Sequence, residues 1–137
     1  MGEQGQHDHH QGYLPEAVGI VWGEISSGAA AAKLTVERRH MAPNQYLHAA
    51  SVIALADSAC GVGCMASRPE GAASFTTIEL KSNFLSSARQ GETIACQARL
   101  AHGGRTTQVW DAEVVNETTG KTIALFRCTQ MLIYPRP

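Results

Sequence analysis

Between Arg39 and Arg68 the chain carries a single acidic or basic residue, histidines aside, and it is Asp57. The segment around it, NQYLHAASVIALADSACGVGCMA over 44–66, is apolar almost throughout. A carboxylate rarely sits in such a run unless it is paired or used, which makes Asp57 a candidate nucleophile or general base. Asn44 and His48 stand at the start of the same run. If the run is helical, its first turn offers unpaired backbone N–H groups and the positive end of the helix dipole. A carbonyl oxygen placed there would be polarised, and an oxyanion formed from it stabilised. The structural alternatives are an Asp57 that only fixes the helix, a satisfied buried His48, and an Asn44 that serves as a cap or turn residue.

Helix geometry constrains how these groups can cooperate. Ala49 and Asp57 are separated by about 12 Å along a helix axis, and His48 and Asp57 fall on opposite faces. One helix therefore cannot bring both ends to a single reacting carbonyl. Two antiparallel copies can, with the start of one helix facing Asp57 of the other.

The flanking sequence supplies the elements that must hold this helix. Tyr13 to Val18, with Pro15 near the start, suits one helical turn. GIVWGEI reads as a strand, SSG as a turn, and AAAAKLTVER over 29–38 as a second strand pairing back on the first. The central helix is expected from about Leu47 to Ala66, stopped by Ser67-Arg68-Pro69-Glu70-Gly71. Four strands follow, SFTTIELKSNFL, ETIACQARLAH, TTQVWDAEVVN and KTIALFRCTQMLI, each bounded by turn residues. The class is α+β: one long helix wrapped by a curled antiparallel sheet. A helix apolar on every side is not fully covered by one sheet, so a second copy is expected to close it.

Composition narrows the function. The 137 residues fit one domain, and a formal charge of −1 gives no basic field for nucleic acid or an anionic membrane. His48, Ser51, Asp57 and Ser58 interrupt the longest apolar run, which argues against a membrane span. The polar start, MGEQGQHDHHQGY, lacks the apolar core of a secretory signal. Residues 1–12 are expected to be a disordered polar tail, and 13–137 a single domain in the cytoplasm. Cys60, Cys64, Cys96 and Cys128 form no CxxC pair and read as buried thiols. Packing is preferred over metal ligation for Cys60 and Cys64, which have no second pair nearby.

Asn44-Gln45-Tyr46-Leu47-His48-Ala49-Ala50, followed by Leu55-Ala56-Asp57, resembles the N-x-x-x-H-G-G … L-x-D core of hotdog-fold acyl-CoA thioesterases of the phenylacetic-acid-degradation (PaaI-like) type. TTIELKSNFLSSA, GETIACQARLAHGGRT and NETTGKTIALFRCT resemble strands of the same family. The resemblance covers about Val21 to Ile133. It implies a hotdog fold, dimers whose sheets join, and dimers pairing into homotetramers, with active sites at the dimer interface. It also implies hydrolysis of an acyl-CoA to free acid and CoA, the acyl group being aryl or short to medium chain. Asp57 matches the catalytic carboxylate, acting as nucleophile or as general base on water. His48 and Ala49 match the His-Gly pair whose glycine N–H polarises the thioester carbonyl. Asn44 matches the residue that positions the attacking group, and Thr77 an assisting hydroxyl on the first strand after the helix. No metal or redox cofactor is implied, coenzyme A being part of the substrate.

Two departures bear on substrate range. Ala49 and Ala50 replace paired glycines; a backbone donor survives that change at helical φ, but the methyls narrow the space beside the acyl group. Ala50 and Phe84 are candidates for the acyl pocket, and Lys81, Arg105, Arg68 and Arg89 for the CoA phosphates. Strict alternation places Ile78, Leu80 and Phe84 towards the helix and Thr77 away from it. Thr77 then acts only through a partner chain or through a bulge that re-aims it. Two other readings stay open: a hotdog enoyl- or hydroxyacyl-CoA hydratase-dehydratase using His48, and an acyl-CoA-binding module without turnover.

Overall fold

A computed structural model describes residues 10–137. The tail expected over 1–12 lies mostly outside the described residues. Of its remainder, the His10 ring stacks on Trp22 with centroids 4.7 Å apart. A single helical turn, α1 (Leu14–Ala17), with proline in its first turn, leads into the hairpin β1 (Val21–Ser26) and β2 (Ala29–Thr35). The alanine run is a strand although alanine favours helix, because Ala30, Ala32 and Leu34 alternate onto the buried side and Lys33 and Thr35 onto the other. A 3₁₀ turn at Arg38–His40 and a short loop precede α2 (Ala49–Ala66). The chain then runs through β3 (Ser74–Phe84), β4 (Thr93–Gly103), β5 (Thr107–Asn116) and β6 (Thr122–Ile133).

All pairings are antiparallel, in the order β1-β2-β4-β5-β6-β3. Six strands laid flat would span about 24 Å, whereas a helix is about 10–12 Å across. Since α2 packs against all six, the sheet curls around it. The inward rows of β2, β4, β5 and β6 supply most of the core: Leu34, Ile94, Cys96, Trp110, Val114, Ala124 and Phe126 pack on Val52, Leu55, Ala56, Ala59 and Cys60.

Two close approaches need glycine. A Cβ on Gly63 would come within 2.6 Å of the Trp110 indole, and one on Gly61 within 2.7 Å of the Phe75 ring. These glycines weaken the helix locally but let it settle into the sheet. By length and a mean hydropathy of 1.6, α2 on its own resembles a membrane span, contrary to the expectation from its polar interruptions. Val52, Leu55, Ala56, Ala59, Cys60, Gly61, Gly63 and Cys64 are buried in the domain, so it is a core helix. Wrapping is incomplete: Ala49 and Ala50 are exposed, and Ile53, Ala54, Asp57, Ser58, Val62 and Met65 only half-buried.

Candidate active site

The start of α2 is two residues later than the pattern suggested, and the reason is local. Leu47 pairs with Met41 in an isolated bridge, and His48 is the N-cap with extended backbone (ψ 134). The His48 Nδ1 accepts the Ala50 N–H at 2.9 Å, and its carbonyl accepts the Ser51 N–H at 3.0 Å. Two first-turn donors are thereby satisfied. Among the described residues the Ala49 N–H has no hydrogen-bond partner, so it is available to a carbonyl or oxyanion. His48 is exposed rather than buried, since a cap sits where the helix emerges. Asn44 is also exposed; its Oδ1 accepts the Tyr46 N–H at 3.2 Å and shapes a turn in which Gln45 takes a φ of 73°.

The buried histidine is His40, which the sequence reading did not single out. Its Nδ1 accepts the Glu37 N–H at 2.8 Å, so its Nε2–H donates to the Val18 carbonyl at 2.6 Å. The His40 carbonyl accepts the His48 N–H at 3.0 Å and the Ser51 hydroxyl at 2.9 Å. His40 thus ties the N-terminal segment to the helix start. Nothing in the charged run Glu37-Arg38-Arg39-His40 signals that role.

At mid-helix, Thr77 Oγ1 lies 2.9 Å from Asp57 Oδ1 and 2.8 Å from Gln130 Oε1. Strict alternation in β3 is therefore corrected. The pairing of β3 with β6 slips between Thr77 and Glu79, a bulge at Ile78. Phe75 and Thr77 before the bulge, and Leu80, Ser82 and Phe84 after it, face inward opposite Leu132, Gln130, Cys128, Phe126 and Ala124. Ile78 itself is 54% exposed. Leu80 and Phe84 point to the helix side but are not covered by α2.

Gln130 was missed, although its signal is present: it interrupts the inward row Ala124, Phe126, Cys128, Leu132 with a carboxamide. Gln108, opposite it on β5, donates to the Ser67 carbonyl at 3.0 Å and accepts from Trp110 Nε1 at 2.7 Å, anchoring the end of α2. The basic candidates scatter. Arg68 donates to the Met65 and Ala72 carbonyls, closing the C-terminal end of α2. Arg105 lies over the Tyr134 ring at 5.9 Å. Lys81 stands on the outer face of the sheet, in a concavity of about 1010 Å³ with Lys33, Asp111, Glu113 and Arg127. The sheet separates that concavity from Asp57.

The four cysteines are buried thiols, as expected. Burial pushes Cys64 up to about 11 and Cys96 to about 12. The neighbouring Cys128 and then burial raise Cys60 further. Cys60, Cys64 and Cys96 therefore stay protonated and unreactive near neutral pH. Among the described residues no cluster of three or more His, Cys, Asp or Glu side chains could hold a metal.

The fold and this arrangement can now be set against known proteins. The model of the Thioesterase superfamily matches residues 44–123, more than half of the chain and all of α2 with Asp57 and Thr77. The chain belongs to the thioesterase superfamily. This thioesterase is 33% identical over 112 residues to the acyl-coenzyme A thioesterase PaaI of Escherichia coli, covering 82% of the chain and 76% of that relative. It is 31% identical over 116 residues to the 1,4-dihydroxy-2-naphthoyl-CoA hydrolase of Listeria monocytogenes, covering 85% and 92%. The solved structure of E. coli PaaI superposes with a TM-score of 0.84 at 27% identity, over 95% of this chain and 91% of that one. A thioesterase from Pseudomonas aeruginosa has the same fold, with a TM-score of 0.90 at 22% identity over 98% and 96%. The chain is a PaaI-like hotdog thioesterase, an enzyme that cleaves thioesters.

Proposed function

We propose that this thioesterase hydrolyses acyl-CoA thioesters with Asp57 as the catalytic carboxylate. The observation that carries this reading is the Thr77–Asp57 contact at 2.9 Å on the half-covered face of α2. It puts a hydrogen-bonded carboxylate where a substrate can reach it. The Ala49 N–H supports the other half of the reaction, as the donor for the carbonyl oxygen. With Asp57 as base, a water loses its proton to the carboxylate while its oxygen bonds to the carbonyl carbon. The oxyanion so formed is held at the helix start; it collapses by breaking the C–S bond, and the proton on Asp57 goes to the departing thiolate. With Asp57 as nucleophile, its oxygen bonds to the carbonyl carbon and the C–S bond breaks to release CoA as thiolate, leaving an acyl-enzyme anhydride. Water then opens it to the free acid and the Asp57 carboxylate, and the proton released goes to the thiolate. In either case water is the only co-reactant, and the reading uses no cofactor.

The site in this reading is shared between two chains. Ala49 and Asp57 of one helix are about 12 Å apart, too far to touch one carbonyl. β3 is an edge strand of 11 residues with exposed apolar side chains, a liability that pairing with a second β3 removes. The same pairing brings two α2 helices side by side, antiparallel, along their half-covered faces. Asp57 and Thr77 then come from one chain, and Asn44, His48 and Ala49 from the other. Pairing of such dimers into a homotetramer follows the family resemblance.

Ala50, Leu80 and Phe84 would line the acyl side, which suits an aryl or short to medium-chain acyl group, phenylacetyl-CoA and related degradation intermediates included. Arg105 and Lys81 are the proposed contacts for the CoA phosphates, Lys81 from the outer face of the sheet. Hydratase chemistry is not favoured, since His48 spends Nδ1 on the helix cap. The test is a cytoplasmic-type acyl-CoA panel of aryl, short and medium-chain thioesters, followed by free CoA release with a thiol reagent. Release well above the blank for at least one class is expected. Tight binding without release across the panel would overturn hydrolysis in favour of a carrier.

A further inference from the structure

Gln130 has no exposed surface, and a buried carboxamide is costly unless its polar atoms are bonded. Its polar neighbours are Thr77 Oγ1 at 2.8 Å and Cys128 Sγ at 3.3 Å. Thr77 Oγ1 also lies 2.9 Å from Asp57 Oδ1, and a hydroxyl owns only one proton. If that proton went to the Gln130 oxygen, the carboxylate would face a bare lone pair at 2.9 Å, which is repulsive. Carboxamide oxygen and nitrogen are assigned from the hydrogen-bond network rather than seen directly. Turning the amide over removes the conflict: one Gln130 N–H donates to Thr77, Thr77 donates to Asp57, and the Gln130 oxygen faces the Cys128 thiol, a weak donor. The bulge at Ile78 and the Thr77–Gln130 register make this contact possible.

We propose that Gln130 is a positioning residue of the Asp57 site: its buried carboxamide donates to Thr77 and so commits the single Thr77 proton to the Asp57 carboxylate. The proposal rests on the reading of Asp57 as the catalytic carboxylate. Gln130 does not touch substrate. It sets which oxygen of the chain Thr77 serves, and through Thr77 it fixes the carboxylate for attack. A charge-assisted hydrogen bond of this kind is strong enough to alter a rate by about tenfold or more.

The test measures kcat and KM on the best hydrolysed thioester for Gln130→Met, Gln130→Glu, Thr77→Val, the Thr77→Val/Gln130→Met double variant and Asp57→Asn, with circular dichroism as the fold check. Gln130→Met is expected to lower kcat about tenfold with KM within about twofold. In the Thr77→Val background the same change should move kcat by less than about twofold, since Gln130 acts through Thr77. Gln130→Glu keeps the size, and in its ionised form it can only accept from Thr77, so kcat should be lowered at least as far at high pH. It should recover at low pH, where the neutral carboxyl can donate to Thr77; this variant carries the comparison if Gln130→Met does not fold. Wild-type kcat in the Gln130 variants overturns the proposal, as does an equal loss with and without Thr77. If neither variant folds, Gln130 is structural and the proposal falls. Wild-type activity in Asp57→Asn instead refutes the underlying reading; loss there with an undisturbed Gln130→Met refutes the positioning role alone.

Discussion

Gly63→Ala tests how tightly α2 is seated. The added Cβ would lie 2.6 Å from Trp110 Cη2, 2.7 Å from Cζ3 and 3.2 Å from Cζ2. The first two are about 1 Å inside a normal carbon–carbon contact. The indole cannot retreat easily: it has no exposed surface, and its Nε1 is held by Gln108, which also holds the Ser67 carbonyl at the end of α2. Alanine in a helix interior favours the variant by about 1 kcal/mol. Overpacking costs about 1–3 kcal/mol, and a rigid, pinned ring puts this site at the upper end. The net expectation is a loss of about 1–2 kcal/mol. Urea unfolding at matched protein concentration measures it, read from the midpoint at unchanged slope. Gly61→Ala should cost less, because the Phe75 ring it meets at 2.7 Å is only half-buried and can swing out. A Gly63→Ala protein as stable as wild type, or more so, would refute the view that a fixed indole dictates glycine here.

His48→Ala removes the cap that holds the Ala50 N–H and should lower stability by about 1 kcal/mol, while His48→Asn, a good cap, should restore most of it; thermal melts of the three proteins decide this. The Arg89 backbone N–H holds the Glu92 carboxyl below the usual carboxylate range against the opposing effect of burial, with lesser help from Asn116 and the Arg89 charge. A depressed folded value means that the stabilisation is present above the ordinary carboxylate pKa and is lost as pH falls through the folded one. Glu92→Gln should therefore flatten the acid-side decline in melting temperature, and parallel declines in the two proteins would contradict this. Mixing Asp57→Asn chains with Ala49→Pro chains, each inactive alone but folded, should restore about half the wild-type activity per heterodimer, since one of its two sites carries neither defect. Verified heterodimers as inactive as their parents would place each site within one chain.

The strand order of the sequence and the single long helix were legible because alternation and turn residues are strong, local signals. Asp57 was legible too, as a lone charge in an apolar run. The aim of Thr77 was legible only as a choice between a partner chain and a bulge; the bulge at Ile78 inserts one residue, reverses the parity that alternation assumes, and turns it inward. The helix start was misjudged by two residues because Leu47 looks like the first apolar position, yet its backbone pairs with Met41 and leaves His48 as the cap. His40 shows the same limit: a histidine in a charged connection became a buried anchor, because long-range packing sets its partners.

Whether Asp57 performs the hydrolysis is examined most directly by Asp57→Asn. The amide keeps the size and the Thr77 contact, so the variant should melt and assemble like wild type. Its kcat for CoA release from the best acyl-CoA substrate should fall by a factor of about 10² to 10⁴. A correctly folded Asp57→Asn enzyme that releases CoA at the wild-type rate would contradict the account.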